Sequence, residues 1–284
     1  MQVSASPAKV ARDRAWIERE FGRDKWGAVL ERIRGLREAG ETNLARAVAT
    51  LNADEAEGAG RETTDIVLGG RRVAAPARFA YTGFYALVRT ILLDHCAAID
   101  PDLIVELGAG WGRNLFDLWL GGSPRAARYA ALEFTGAGRD ATRALADLDS
   151  DLRMEIHPFD YYATDAMPLA AGRRVVAFTV FSVDQIPHLP PPAIERILRL
   201  GGDVWGIHFE PFGWQWRAER GDAGRVGSSA DYAASHDYNR DFWPVMRSFE
   251  QSGAIAIEQV EPELYGANPE NAASLLCWRK VGQT

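Results

Sequence analysis

Cysteine is scarce in this chain, with two residues in 284, Cys96 and Cys277. Both stand in apolar stretches, one of helical and one of strand-like spacing, so they read as small core residues and not as a disulfide framework or zinc site. Histidine is sparse too. The five histidines show no close ligand spacing, which gives no reason to invoke a metal. No run approaches the roughly 20 apolar residues of a membrane span, and Met1 to Trp16 carries no apolar signal core. A cytoplasmic protein with no membrane partner is the expectation. An excess of positive charge is also missing: the net charge of -7 provides no general footprint for nucleic acid. The local cluster of Arg71, Arg72 and Arg78 reads as solvated surface. A small-molecule partner is favoured.

What is present is an ordinary globular composition, 47% hydrophobic and 25% charged, over a length that suits one α/β core with an appendage. The first 53 residues read as helical, with Ile17 and Phe21 on one face. Asp24 is the expected cap of a second helix carrying Val29, Ile33 and Leu36, and a short third helix is expected over 44–51. Residues 52–61 are acidic and glycine-containing, as in a loop. Ile66-Val67-Leu68, Gly69-Gly70 and Arg71-Arg72-Val73 then read as a hairpin with a two-residue turn. These segments make a helical cap with a small hairpin over 1–76, and the core follows over 77–284. A helix is expected over 79–98, ended by Pro101. Strands are expected near 103–107, 127–133, 153–159, 174–181 and 203–209, alternating with helices near 112–120, 136–148 and 191–200. That order implies parallel strands with crossover helices. After a helix over 239–251, the strands at 254–260 and 273–280 are too close in sequence for a packed crossover and should pair antiparallel.

The richest signal is Val105-Glu106-Leu107-Gly108-Ala109-Gly110-Trp111-Gly112, a strand delivered into a glycine loop where a helix should begin. Glycines there permit positive φ and close backbone approach, while free N–H groups at a helix start favour an anionic group. The dinucleotide fingerprint G-x-G-x-x-G would require glycine where Arg113 stands, and no Gly-Lys-Ser/Thr follows, so a nicotinamide site is weakened and a P-loop excluded. Glu106 could accept hydrogen bonds from the ammonium of a bound amino acid.

With that acidic residue before G-x-G-x-G, the sequence resembles the class I S-adenosylmethionine-dependent methyltransferase family. The resemblance covers approximately 80–281. It implies an α/β fold: a doubly wound, mostly parallel seven-stranded sheet with a C-terminal antiparallel strand, plus the N-terminal helical segment. It implies S-adenosyl-L-methionine as cofactor, with S-adenosyl-L-homocysteine as its product. Glu106, Gly108, Ala109, Gly110 and Gly112 would form the first cofactor-binding element. The resemblance calls for a second acidic residue at the end of the next strand, and Glu133 stands there, 21 positions after Gly112, to hold the ribose hydroxyls. Asp160, after the third strand, would contact the adenine amino group, although a turn-forming role competes. The expected assembly is a homodimer.

Ligands of open parallel sheets lie beyond the carboxyl ends of the strands, which makes residues after strands four and five the substrate candidates. Ser182, Gln185 and Trp214 are expected to bind substrate, with Tyr81 and Tyr85 contributing from the preceding helix. Glu210, Asp184, His208 and His188 are the catalytic candidates. Aromatic faces next to carboxylates, including Phe212, Trp214 and Trp216, favour an amine or guanidine nitrogen as acceptor. The alternatives are a hydroxyl acceptor with His188 or His208 as base, an aminopropyl transferase, and a regulatory protein that binds the cofactor without turnover.

Overall fold

The computed structural model describes residues 12–222 and 226–282; the helical reading of residues 1–11 lies outside that range. Five strands form the parallel centre: β3 (Leu103–Leu107), β4 (Arg128–Glu133), β5 (Met154–Pro158), β6 (Gly172–Val180) and β7 (Gly201–Glu210). Helices α5 (Arg113–Gly121), α6 (Gly136–Ala146) and α7 (Pro191–Leu198) cross between them. The chain steps outward from β3 to β4 and β5, then returns to place β6 on the other side of β3. The order in which strands are added to the sheet therefore reverses between the parallel neighbours β3 and β6, where open α/β sheets form their ligand crevice.

The alternation of β3 shows why both faces are covered. Ile104 packs into one apolar cluster and Leu103, Val105 and Leu107 into the other, because successive strand side chains point to opposite faces. The first cluster receives α4 (Ala77–Ile99), whose Phe84, Val88, Leu92 and Cys96 recur at helical spacing and are buried. The second receives α7 and α10 (Phe242–Gln251), which buries Phe242, Trp243 and Met246. Two short helices, α8 (Gly213–Glu219) and α9 (Ala230–Ser235), lead from β7 to α10.

Among the described residues the sheet has nine strands, where the sequence led us to expect seven. The long β8 (Ile255–Gly266) pairs antiparallel with β9 (Ala273–Lys280), which pairs antiparallel with β7. Beyond residue 260, the expected end of this strand, β8 runs on to meet the hairpin of β1 (Thr63–Leu68) and β2 (Arg71–Pro76) through Val67 and Leu68. The hairpin turn is Gly69-Gly70, with φ of 55° and 72°, values that glycine adopts without strain. The hairpin thereby caps an edge of the sheet whose backbone groups would otherwise stay unpaired.

Two further expectations change at the N-terminus. Asp24 caps nothing: α1 (Arg14–Ile17), a π-helical segment over Glu18–Trp26 and α2 (Gly27–Glu38) run on without a break. The cap is Asp13, which accepts from Trp16 N–H at 2.7 Å. Helix α3 (Leu44–Gly58) absorbs most of the expected loop, because Ala and Glu at 53–57 are good helix formers and Ala56 is buried. Among the described residues no helix is long and apolar enough to cross a membrane.

Gly206 in β7 offers a test of this packing. A Cβ there would lie 2.1 Å from the Trp278 ring, and Trp278 is fully buried. Gly206→Ala should therefore cost about 1–3 kcal/mol by overpacking, read as a lowered urea midpoint with an unchanged m-value.

Candidate active site

The C-terminal ends of β3, β4, β5 and β6 open into one cavity of about 380 Å³. Residues following each of these four strands line it: Gly108 to Trp111, Glu133 and Phe134, Phe159 to Tyr162, and Phe181 to Ile186 without the buried pair Val183 and Asp184. Its cover comes from the N-terminal segment, through Arg12 to Arg14, Ile17, Phe21, Lys25 and Trp26, and from Glu55, Tyr81 and Tyr85 on α3 and α4.

The glycine loop turns through left-handed conformations at Gly108, Gly110 and Gly112, with φ of 75°, 57° and 80°. Space is as restrictive as torsion. A Cβ at Gly108 would lie 1.9 Å from Ser182 Oγ, and one at Gly110 would lie 2.6 Å from the Trp26 ring. The loop is fastened to β4: Gly108 and Ala109 N–H donate to the Leu132 carbonyl at 2.7 and 3.1 Å. Gly110 N–H donates to Glu133 Oε2 at 2.9 Å. Gly112 carries the turn into α5 and does not line the cavity.

Three carboxylates face the cavity from the sheet. Glu106 is 2% exposed; its Oε1 accepts from Asn114 Nδ2 at 2.6 Å, while its Oε2 is buried and has no hydrogen-bond partner among the described residues. Burial pushes its pKa up to about 8. Glu133 is also raised by burial, against hydrogen bonds from Thr135 N–H and Oγ1 at 2.9 and 2.7 Å. Asp160 does two things: it accepts from Tyr162 N–H at 2.8 Å, as in a turn, and pairs with Arg14 at 2.5 Å on the cavity wall.

Tyr81, Tyr85, Ser182 and Gln185 also line the cavity. Ser182 Oγ lies 2.8 Å from the Tyr161 hydroxyl. Tyr81 and Tyr85 belong to a network centred on Glu55, which Tyr81 OH, Trp111 Nε1 and Arg113 NH1 all reach. The Arg113 guanidinium stands 3.5 Å from the Tyr85 ring centroid.

The remaining candidates lie elsewhere. His208 is buried between the sheet and α10: Trp278 Nε1–H donates to its Nε2 at 2.8 Å, which leaves the proton on Nδ1 facing Thr179 Oγ1 at 3.0 Å. Burial lowers its pKa to about 3, so it is a neutral structural residue and no base. His188 is 63% exposed and pairs with Asp241 outside the cavity. Glu210 spends its carboxylate on the backbone N–H groups of Ser182, Val183 and Asp184 at 3.0, 3.1 and 3.1 Å. It thereby shapes the loop after β6. Asp184 is buried beside it, accepts from Gln185 Nε2 at 2.8 Å and does not line the cavity. Burial raises both carboxyls, and Asp184 raises Glu210 further. Trp214 donates its backbone N–H to Ser228 Oγ and stays off the wall, while Phe212 stacks on Trp243. The aromatic run after β7 therefore packs α8 onto α10 and does not line the cavity.

Sequence reasoning missed Lys25, Trp26, Glu55 and Tyr161. A basic residue and an aromatic one carry no local signature. Glu55 was hidden because its helix was read as a loop.

No protein-family model and no curated protein matches the sequence. Solved structures resemble it at low identity. The magnesium protoporphyrin IX methyltransferase of Synechocystis, with bound S-adenosylmethionine, aligns over 72% of this chain and 83% of its own at TM-score 0.47 and 10% identity. The O-methyltransferase TomG of Streptomyces achromogenes, also with that molecule, aligns over 72% and 87% at TM-score 0.43 and 15% identity. The N-terminal domain of EvdMO1, solved with S-adenosylhomocysteine and D-fucose, aligns over 70% and 83% at TM-score 0.44 and 12% identity.

The two unfolded-state and folded-state protonation levels of His208 make its role measurable. Its folded pKa lies below the ordinary value near 6.5, so its neutral burial contributes stability that is full above about pH 6.5 and is lost as pH falls toward 3. NMR should show the His208 ring neutral from pH 7 down to 5; protonation near pH 6 would contradict its core placement.

Proposed function

We propose that this chain is an S-adenosylmethionine-dependent methyltransferase acting on a small molecule. The observation that carries the reading is the unpaired, buried Oε2 of Glu106 on the wall of a cavity formed by four consecutive strand ends. A buried acceptor without a donor costs about 1–3 kcal/mol, more when charged. The ammonium of a bound amino acid would supply the missing donor and restore the carboxylate.

The other residues fit the same molecule. Gly108 and Gly110 line the cavity with bare backbone, Glu133 Oε2 keeps one lone pair beyond its bond from Gly110 N–H for a ribose hydroxyl, and Asp160 stands on the wall next to Phe159 and Tyr161. Bound there, the cofactor supplies a methyl group already activated by its sulfonium centre. The chain's own task is then to orient an acceptor and exclude water. Tyr81, Tyr85, Ser182 and Gln185 line the cavity and would serve the first, and the Phe21, Trp26 and Phe134 side chains the second.

The acceptor is proposed as a small molecule because one cavity of about 380 Å³, covered in part by the N-terminal segment, would receive it beside the cofactor. An amine or guanidine was favoured by an acidic and aromatic cluster after β7, but Glu210, His208 and Trp214 do not face the cavity. The histidine base of a hydroxyl acceptor falls away for the same reason.

Calorimetry with S-adenosylhomocysteine tests the reading, and a product assay over a metabolite panel then separates an enzyme from a silent binder. Failure to bind either S-adenosylmethionine or S-adenosylhomocysteine would refute it. The raised Glu106 pKa adds a sharper signature. Ionisation of Glu106 on meeting an ammonium should release roughly one proton at pH 7, seen as a buffer-dependent enthalpy. Glu106→Gln should bind more weakly and lose that dependence.

A further inference from the structure

Four basic side chains line the cavity: Arg12, Arg14, Lys25 and Arg113. Three are committed to protein partners. Arg113 donates to Glu55 at 2.6 Å and to Tyr81 OH at 2.8 Å. Arg14 pairs with Asp160. Arg12 donates to Gln185 Oε1 and, at 2.6 Å, to the His236 carbonyl, with its guanidinium between the rings of Trp16 and Tyr238.

Lys25 differs. Among the described residues, no carboxylate lies within ion-pairing distance of its Nζ, which stands 4.5 Å from the Trp26 ring centroid and 5.5 Å from that of Phe21. Burial lowers its pKa, with Glu55, Asp184 and Glu133 opposing that shift from longer range. Lys25 is nonetheless accessible to solvent, and it lines the cavity. A side chain both surrounded by protein and accessible to a water-sized sphere is one that stands inside a cavity.

Its neighbour in sequence fixes where. Trp26 closes over Gly110, so Lys25 enters the cavity from the cover on the glycine-loop side. Glu106 enters the same cavity from the sheet. The same cavity thus offers, among the described residues, an unpaired carboxylate oxygen from the sheet and an ammonium without an ion partner from the cover, charges of the two signs that an amino-acid zwitterion requires.

We propose that Lys25 is the carboxylate-binding residue of this site, pairing with the α-carboxylate of the cofactor's amino-acid portion while Glu106 takes its α-ammonium. This rests on the cofactor assigned above. The N-terminal segment is then part of the binding site as well as its cover, and cofactor binding orders the charge that the segment carries.

The test compares two ligands on the full chain by calorimetry: S-adenosylhomocysteine, and 5′-methylthioadenosine, which lacks the amino-acid portion. Lys25→Met should weaken the first by at least about tenfold, the range expected when one partner of a charge-assisted pair is removed. It should leave the second unchanged, which also shows that the variant is folded. Lys25→Arg should restore most of the loss. Equal weakening of both ligands, or no change in either, would overturn the assignment while leaving the cofactor reading intact. Failure of the unaltered chain to bind S-adenosylhomocysteine would instead sink both.

Discussion

The exit of β3 through three left-handed glycines is the constraint on which the site depends. At Gly108 and Gly110 both torsion and space forbid a side chain, with Ser182 and Trp26 where a Cβ would stand. The turn brings backbone from β3 against β4, where Leu132 and Glu133 accept its N–H groups. Loop and second carboxylate are therefore one unit. A glycine turn of this kind would be strained for any other residue, and the hydrogen bonds to β4 decide its shape.

Around that turn the fold concentrates buried charge. Glu106, Glu133, Asp184 and Glu210 are all nearly inaccessible, and burying a carboxylate is costly unless hydrogen bonds compensate it. They are compensated unequally. Glu210 is saturated by three backbone N–H groups and acts as scaffolding for the loop after β6. Glu106 keeps an empty oxygen. Facing the cavity with one oxygen unpaired among the described residues is the reason we propose Glu106, and not Glu210, as a binding carboxylate.

The cover obeys the same logic. A continuous helical stretch from Arg14 to Glu38 lays its π-helical turn over the glycine loop; wide turns of this type often occur at functional sites. Salt bridges and ring contacts tether it, while Lys25 is left free of ion partners among the described residues.

Local signals were enough for the parallel centre. Short apolar strands, the helical spacing of Phe84, Val88, Leu92 and Cys96, and the glycine run after Glu106 each express backbone periodicity or torsion, which neighbours in sequence determine. The sequence alone thus determined the doubly wound core and which residues gather at its strand ends. Tertiary structure decided the rest, because it turned on contacts between distant segments. Whether the hairpin joined the sheet depended on the reach of β8 along its edge. Whether His208 and Glu210 were reagents or core depended on Trp278 and on the loop after β6. Lys25 became part of the site only when α2 and its π-helical extension packed against α6 and Trp26 came to rest on Gly110. Burial and pairing over such distances have no period for a sequence to display.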